Sequence, residues 1–221
     1  MDELGIVEFN LHIHIFYVCN EEAARYTSEY QRRSIVHNAV HSGDNQDKYQ
    51  SKKEHPVNSN ETKTVADFLI ADFENEMRAT IRVIKAVPNG HLDYQPDSKS
   101  KTALGLVRHI TLEDEWLLNC IADGEFTPPP DDSDACGITN PADAVARYQE
   151  KVSAALNRVR ALPGEKLTNV IDMLGLIQAP GVNFLAITIK HSVHHRGQLS
   201  TYLRPMGGQV PGIYGPSADT P

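Results

Sequence analysis

Basic residues are in short supply in this chain. Its 221 residues carry 21 lysines and arginines against 29 aspartates and glutamates, for a formal charge of −8. A surface that neutralises phosphates needs the opposite balance, so no nucleic-acid partner is expected. Cysteine is scarce as well. Cys19, Cys120 and Cys136 are odd in number and show no Cys-x-x-Cys spacing, so a disulfide framework is not expected and a cytoplasmic location is the default. No run of 18 apolar residues occurs, which leaves nothing to span a membrane. Met1 to Asn20 lacks the basic start and unbroken apolar centre of a secretory signal. Gly-rich phosphate loops and a Ser-His-Asp order with a nucleophile elbow are absent too.

What the chain does have is histidine in one place. Within His191-Ser192-Val193-His194-His195-Arg196-Gly197-Gln198, three of its ten histidines fall in five positions. Residues four apart on a helix lie one turn above each other, with Cβ atoms about 5–6 Å apart. His191 and His195 can therefore offer imidazole nitrogens to one metal ion. His194 points roughly 100° away from His195 by the helical period and cannot share that ion without distortion. The pair is not a zinc-protease motif, because Ser192 stands where that motif requires a glutamate. Two ligands also leave an ion underliganded, so a third must come from elsewhere.

Residues 1–63 differ from the rest. Phe9, Leu11, Ile13, Ile15 and Tyr17 alternate like a short strand, which places His12 and His14 on one face. His-x-His on a strand opens some barrel hydrolases, but no repeated strand–helix units follow here. Glu21 to Val40 has weak helical character, and Ser42 to Lys63 is polar like a linker. The expected division is thus an N-terminal extension, 1–63, and a helical domain, 64–221.

Four helices are expected in that domain. Thr64-Val65-Ala66-Asp67 resembles a capping box, followed by an apolar stripe of Leu69, Phe73, Met77, Ile81 and Ile84. Thr102 is a plausible N-cap for a second helix running to about Ala122, with Leu106, Ile110, Leu117 and Ile121 as its stripe and His109, Glu113 and Trp116 along one edge. Asn140-Pro141 opens a third, faced by Val145, Tyr148, Val152, Leu156 and Val159. Leu167 to Gly181 is apolar but broken by Gly175, Pro180 and Gly181, and reads as a connector. The fourth helix runs from about Val182 to Arg204, and a Pro- and Gly-rich tail folds over the body. This is the pattern of an all-α four-helix bundle, which builds metal sites from inward side chains of facing helices. His109, bordering the stripe of the second helix, is the natural third ligand. Three imidazoles leave one position open, as expected of a catalytic zinc. Glu113, one turn beyond His109, is the candidate catalytic carboxylate, either orienting a ligand or acting as general base. For Arg196 a structural anchor is the preferred reading, and for Tyr202 core packing.

Val65-Ala66-Asp67-Phe68, Arg108-His109-Ile110, His191-x-x-His194-His195-Arg196-Gly197-Gln198-Leu199 and Val210-Pro211-Gly212-Ile213-Tyr214-Gly215-Pro216-Ser217-Ala218-Asp219 together resemble the DinB/YfiT-like family over about Thr64 to Asp219. Residues 1–63 have no counterpart in that pattern. The resemblance implies a four-helix bundle with a divalent metal, Zn²⁺ or Ni²⁺, on His109, His191 and His195, often in a homodimer. It also implies a small-molecule substrate and, in some relatives, a low-molecular-weight thiol as cofactor for transfer or isomerisation. Three functions stay open: thiol-dependent transfer, metal-assisted hydrolysis, and a non-catalytic stress protein stabilised by its metal.

Overall fold

The computed structural model describes residues 58–220. The strand and helix expected before Val40, and the His12/His14 pair with them, lie outside that range.

The first helix, α1, spans Ser59–Lys85 and begins five residues before the expected Thr64. The Asn58 side chain caps it by accepting from the Asn60 amide at 2.9 Å, as a short acceptor at that position does. The end of the polar stretch is therefore helical. Lys63 is held there by Asp67 one turn on and by the Arg160 carbonyl. Phe73, Met77 and Ile84 are buried as expected, while Leu69 and Ile81 are only half-buried and Ala66 and Ile70 enter the core.

Helix α2 (Ala103–Asp123) matches its expected bounds. The Thr102 hydroxyl accepts from the Gly105 amide, and Gly124 closes the helix with φ 78°. Only glycine adopts that conformation freely. Asn140 caps α3 (Pro141–Arg147), accepting from the amides of Ala142 and Asp143. The chain then passes through one π-helical turn, Tyr148–Val152, into α4 (Ser153–Arg160). These segments make up the third bundle helix, and all five residues of its expected stripe are buried.

The connector expected over Leu167 to Gly181 is instead regular structure. A short helix α5 (Gly164–Thr168) leads into an antiparallel hairpin, β1 (Val170–Met173) with β2 (Ile177–Pro180), in which Met173 pairs with Ile177 and Val170 with Pro180. The residues that looked like breakers shape it. Gly175 takes φ 77° in the turn beside Leu174 at 54°, and Asp172 accepts from the Gly175 amide. Pro180 ends an edge strand, where it leaves no sheet partner short of a donor.

Helix α6 (Gly181–Leu203) packs against both α1 and α2. The tail folds back, as expected. Arg82 donates to the carbonyls of Gly212 and Ile213, Asp219 takes the Arg204 guanidinium and the Val210 amide, and Ser217 bonds the Val210 carbonyl.

Gly164 is where α5 meets the start of α1. A Cβ there would lie 1.9 Å from the Ser59 carbonyl oxygen, a backbone atom that cannot swing aside. Gly164→Ala is expected to destabilise the protein by about 1–3 kcal/mol, the usual cost of overpacking. A melting temperature unchanged within 1 °C by calorimetry would show that the two segments separate freely.

Candidate metal centre

Two antiparallel helices build the centre. Going up α2 and down α6, the Lys101 carbonyl faces Tyr202, His109 faces His191 and His195, and Trp116 meets Phe184 through Phe126. The three imidazoles lie edge to face, with ring centroids 4.5–5.2 Å apart. One nitrogen of each ring lies within 4.8 Å of the others. His109 and His191 are buried and His195 is half-buried. His194 is exposed and outside the group, as its helical register requires.

Behind two of the rings runs a polar circuit made of two hydrogen-bonded arms that meet at Lys101. His195 Nδ1 lies 3.1 Å from Gln198 Oε1, and Gln198 Nε2 donates to the Tyr202 hydroxyl at 3.4 Å. That hydroxyl donates to the Lys101 carbonyl at 3.3 Å, and Lys101 Nζ donates to Asp132 at 2.6 Å. The same Asp132 oxygen stands 3.6 Å from His109 Nδ1. His109 and then Lys101 hold the Asp132 carboxyl well below the usual carboxylate range, against the opposing effect of burial.

The circuit fixes protons. Tyr202 spends its one proton on a carbonyl, so it must accept from the amide nitrogen of Gln198. The amide oxygen therefore faces His195. An oxygen acceptor behind Nδ1 puts the proton on Nδ1 and leaves the Nε2 lone pair pointing inward. Asp132 does the same for His109. The two Nε2 atoms are 3.2 Å apart. Nitrogens bound at 2.0–2.1 Å to one tetrahedral ion lie about 3.3–3.4 Å apart, so the spacing fits a shared cation.

The third ring has its own carboxylate. Asp114 Oδ1 is 3.8 Å from His191 Nδ1, and Asp114 Oδ2 accepts from the Tyr148 hydroxyl at 2.6 Å and the Ser192 hydroxyl at 2.7 Å. Burial, with the Asp114 charge adding to it, pushes the Tyr148 hydroxyl far above its ordinary pKa and keeps it a donor. Glu113 is half-buried on α2 and is not a member of the three-histidine group.

The DinB family pattern matches residues 59–221. This chain belongs to the DinB family. It is similar to the uncharacterized protein YrdA of Bacillus subtilis (strain 168), 28% identical over 157 residues that cover 69% of this chain and 90% of YrdA. The crystal structure of the DinB-like protein YjoA from Bacillus subtilis is 25% identical, with a TM-score of 0.53 over 69% of this chain and 97% of that one. A crystal structure of the mycothiol-dependent maleylpyruvate isomerase shares the fold at 15% identity, with a TM-score of 0.50 over 75% of this chain and 65% of that one. The matched span, residues 59–221, takes in all the described helices and the tail.

Sequence reasoning missed Asp114 and Asp132, and gave Gln198 no role beside His195. Asp114 did leave a signal. It fills the slot between Ile110 and Leu117 in the apolar stripe of α2, where a charge needs a reason. Gln198 lies three residues from His195, within reach on one helix face. Asp132 sits in the acidic loop after Pro128, and nothing local ties that loop to His109. Arg196 proves structural: it is buried against Glu76 on α1 and donates to the Tyr214 hydroxyl of the tail at 2.6 Å. Tyr202 is buried, as core packing requires, but its hydroxyl also joins the circuit.

Proposed function

We propose that this DinB protein binds one divalent metal ion, Zn²⁺ or Ni²⁺, on His109, His191 and His195, and uses it in thiol-dependent transfer on a small molecule. The observation that carries this reading is the pair of inward Nε2 atoms 3.2 Å apart, with an oxygen behind each Nδ1. Two ring nitrogens that close share either a proton or a cation, and with the proton of each ring on Nδ1 it is a cation that fits between them.

Bound there, the ion supplies Lewis-acid charge that favours the thiolate over the thiol. The residues do the rest. Gln198 and Asp132 orient two imidazoles with Nε2 inward, and a set made of imidazoles adds no negative charge of its own. An anionic sulfur is then a better fourth partner than it would be beside carboxylate or cysteine ligands. Among the described residues no fourth histidine, cysteine or carboxylate joins the group, which leaves that place to a molecule from outside. Glu113, one turn beyond His109, is the candidate carboxylate for orienting a ligand or acting as general base toward a metal-bound water. A bundle of this fold serving a mycothiol-dependent isomerase accords with the reading.

The test is a thermal shift of the metal-loaded full chain with cysteine, glutathione, bacillithiol and mycothiol at several pH values. A ligand at 100 times its Kd stabilises by about 2.7 kcal/mol, worth roughly 5–10 °C for a domain of this size. Thiol binding releases a proton, so the shift is expected to grow as pH rises toward the free thiol pKa. It is expected to vanish in His195→Ala. If no thiol shifts the wild type, or all of them shift the His195→Ala variant equally, metal-assisted hydrolysis takes the place of transfer.

A further inference from the structure

Among the described residues, four side chains that carry a formal charge are buried: Glu76, Arg108, Asp114 and Arg196. Three have an opposite full charge in contact, since Glu76 and Arg196 pair with each other and Arg108 pairs with Asp134 at 2.6 Å. Asp114 differs. Its side chain has no exposed surface, and its two close partners, Tyr148 and Ser192, are neutral hydroxyls on the same oxygen, Oδ2. Its other oxygen, Oδ1, accepts no hydrogen bond. Among the described residues, the basic group within 4.0 Å of that carboxylate is His191.

A buried carboxylate costs several kcal/mol unless a charge compensates it. Two hydroxyls on one oxygen do not neutralise it, but they do fix where it points. With Oδ2 held by Tyr148 from the π-helical turn and by Ser192 from α6, Oδ1 is turned to Nδ1 of His191. At 3.8 Å that oxygen is a charge beside Nδ1 rather than a hydrogen-bond acceptor, and its field favours the tautomer with the proton on Nδ1 and the lone pair on Nε2, the one that can ligate inward. Ser192, which stands where a zinc protease would carry its glutamate, thereby has a task of another kind.

We propose that Asp114 is the positioning residue and counter-charge of the metal centre. It sets the tautomer of His191 and balances the charge of the bound ion, with Tyr148 and Ser192 orienting it. The inference rests on the metal reading above.

The sign of the expected effect separates this role from a structural one. Asp114→Asn preserves shape and can keep its amide oxygen toward Tyr148 and Ser192. Its NH₂ then faces His191 Nδ1 and selects the opposite tautomer. Zinc affinity of the full chain, by competition with a chromophoric chelator, is expected to fall at least about 10–100-fold, as for other groups behind a ligand. The absorption intensity of the Co²⁺-loaded form is expected to drop as the three-imidazole set is lost. The metal-free melting temperature is expected to stay level or rise, because a buried charge has been removed. An affinity within threefold of wild type, or a metal-free melting temperature that falls in step with affinity, overturns the proposal. A second measurement needs no variant: two-bond ¹H–¹⁵N correlation on metal-free wild type is expected to show His191 protonated at Nδ1, and protonation at Nε2 overturns the proposal. A wild type that binds neither zinc nor cobalt removes the metal reading itself and this inference with it. A wild type that binds normally beside an unaffected Asp114→Asn removes the inference alone.

Discussion

Replacing His195 with alanine is expected to weaken zinc binding more than about 100-fold, beyond what loss of an orienting group behind a ligand produces. His109→Ala and His191→Ala are expected to do the same. His194→Ala is expected to stay within about twofold of wild type, although His194 adjoins His195 in sequence and its ring centroid is 4.8 Å away. The contrast is a matter of direction. His191 and His195 stand one turn apart and face His109, while the His194 ring lies on the exposed side of α6. Isothermal titration of the four variants checks this. A His194→Ala variant that loses the ion while His191→Ala keeps it would refute the assignment of ligands.

The second large effect concerns stability. Arg196→Met removes one half of a buried ion pair and strands the other. Glu76 keeps only the Tyr214 hydroxyl, which donates to it at 2.9 Å, in place of a guanidinium that also bonds the Glu76 carbonyl and lies 5.3 Å over the Tyr214 ring. Breaking such a pair from one side costs about 3–5 kcal/mol, so the melting temperature is expected to fall by roughly 6–20 °C. Replacing both partners, Glu76→Leu with Arg196→Met, is expected to recover much of that loss, since no lone charge is left buried. Urea unfolding of the single and double variants decides it. A single variant within 1 kcal/mol of wild type would show that water reaches the pair and that Tyr214 seals nothing.

How much of this was legible in the sequence depends on the range of the forces involved. Local chemistry could be read directly. Thr102, Gly124 and Asn140-Pro141 mark helix ends through contacts within four residues, and the structure places those ends where they were expected. The histidine register was equally local. The start of α1 was missed although its cap is local, Asn58 accepting from the Asn60 amide, because the polar run Ser59 to Lys63 carries no apolar stripe and part of its support comes from afar, from the Arg160 carbonyl. The hairpin was misread because Gly175 and Pro180 signal a turn and an edge as readily as a break. The groups behind the histidines were hidden for a related reason. Asp132 reaches His109 only when a loop folds back on α2, and Tyr148 reaches Asp114 only when the third helix docks, 34 residues away.

The pair of Nε2 atoms from α2 and α6 belongs to residues 86 positions apart. An ion gripping both would act as a clasp on a long loop of chain, and its consequence is one of rates. Loop closure costs entropy that grows only with the logarithm of length, so most of the effect lies in opening, which must break ligand bonds before the helices part. Loading should therefore wait until α2 and α6 have already met, and the loaded form should outlive the empty one against proteases by more than their equilibrium stabilities alone imply.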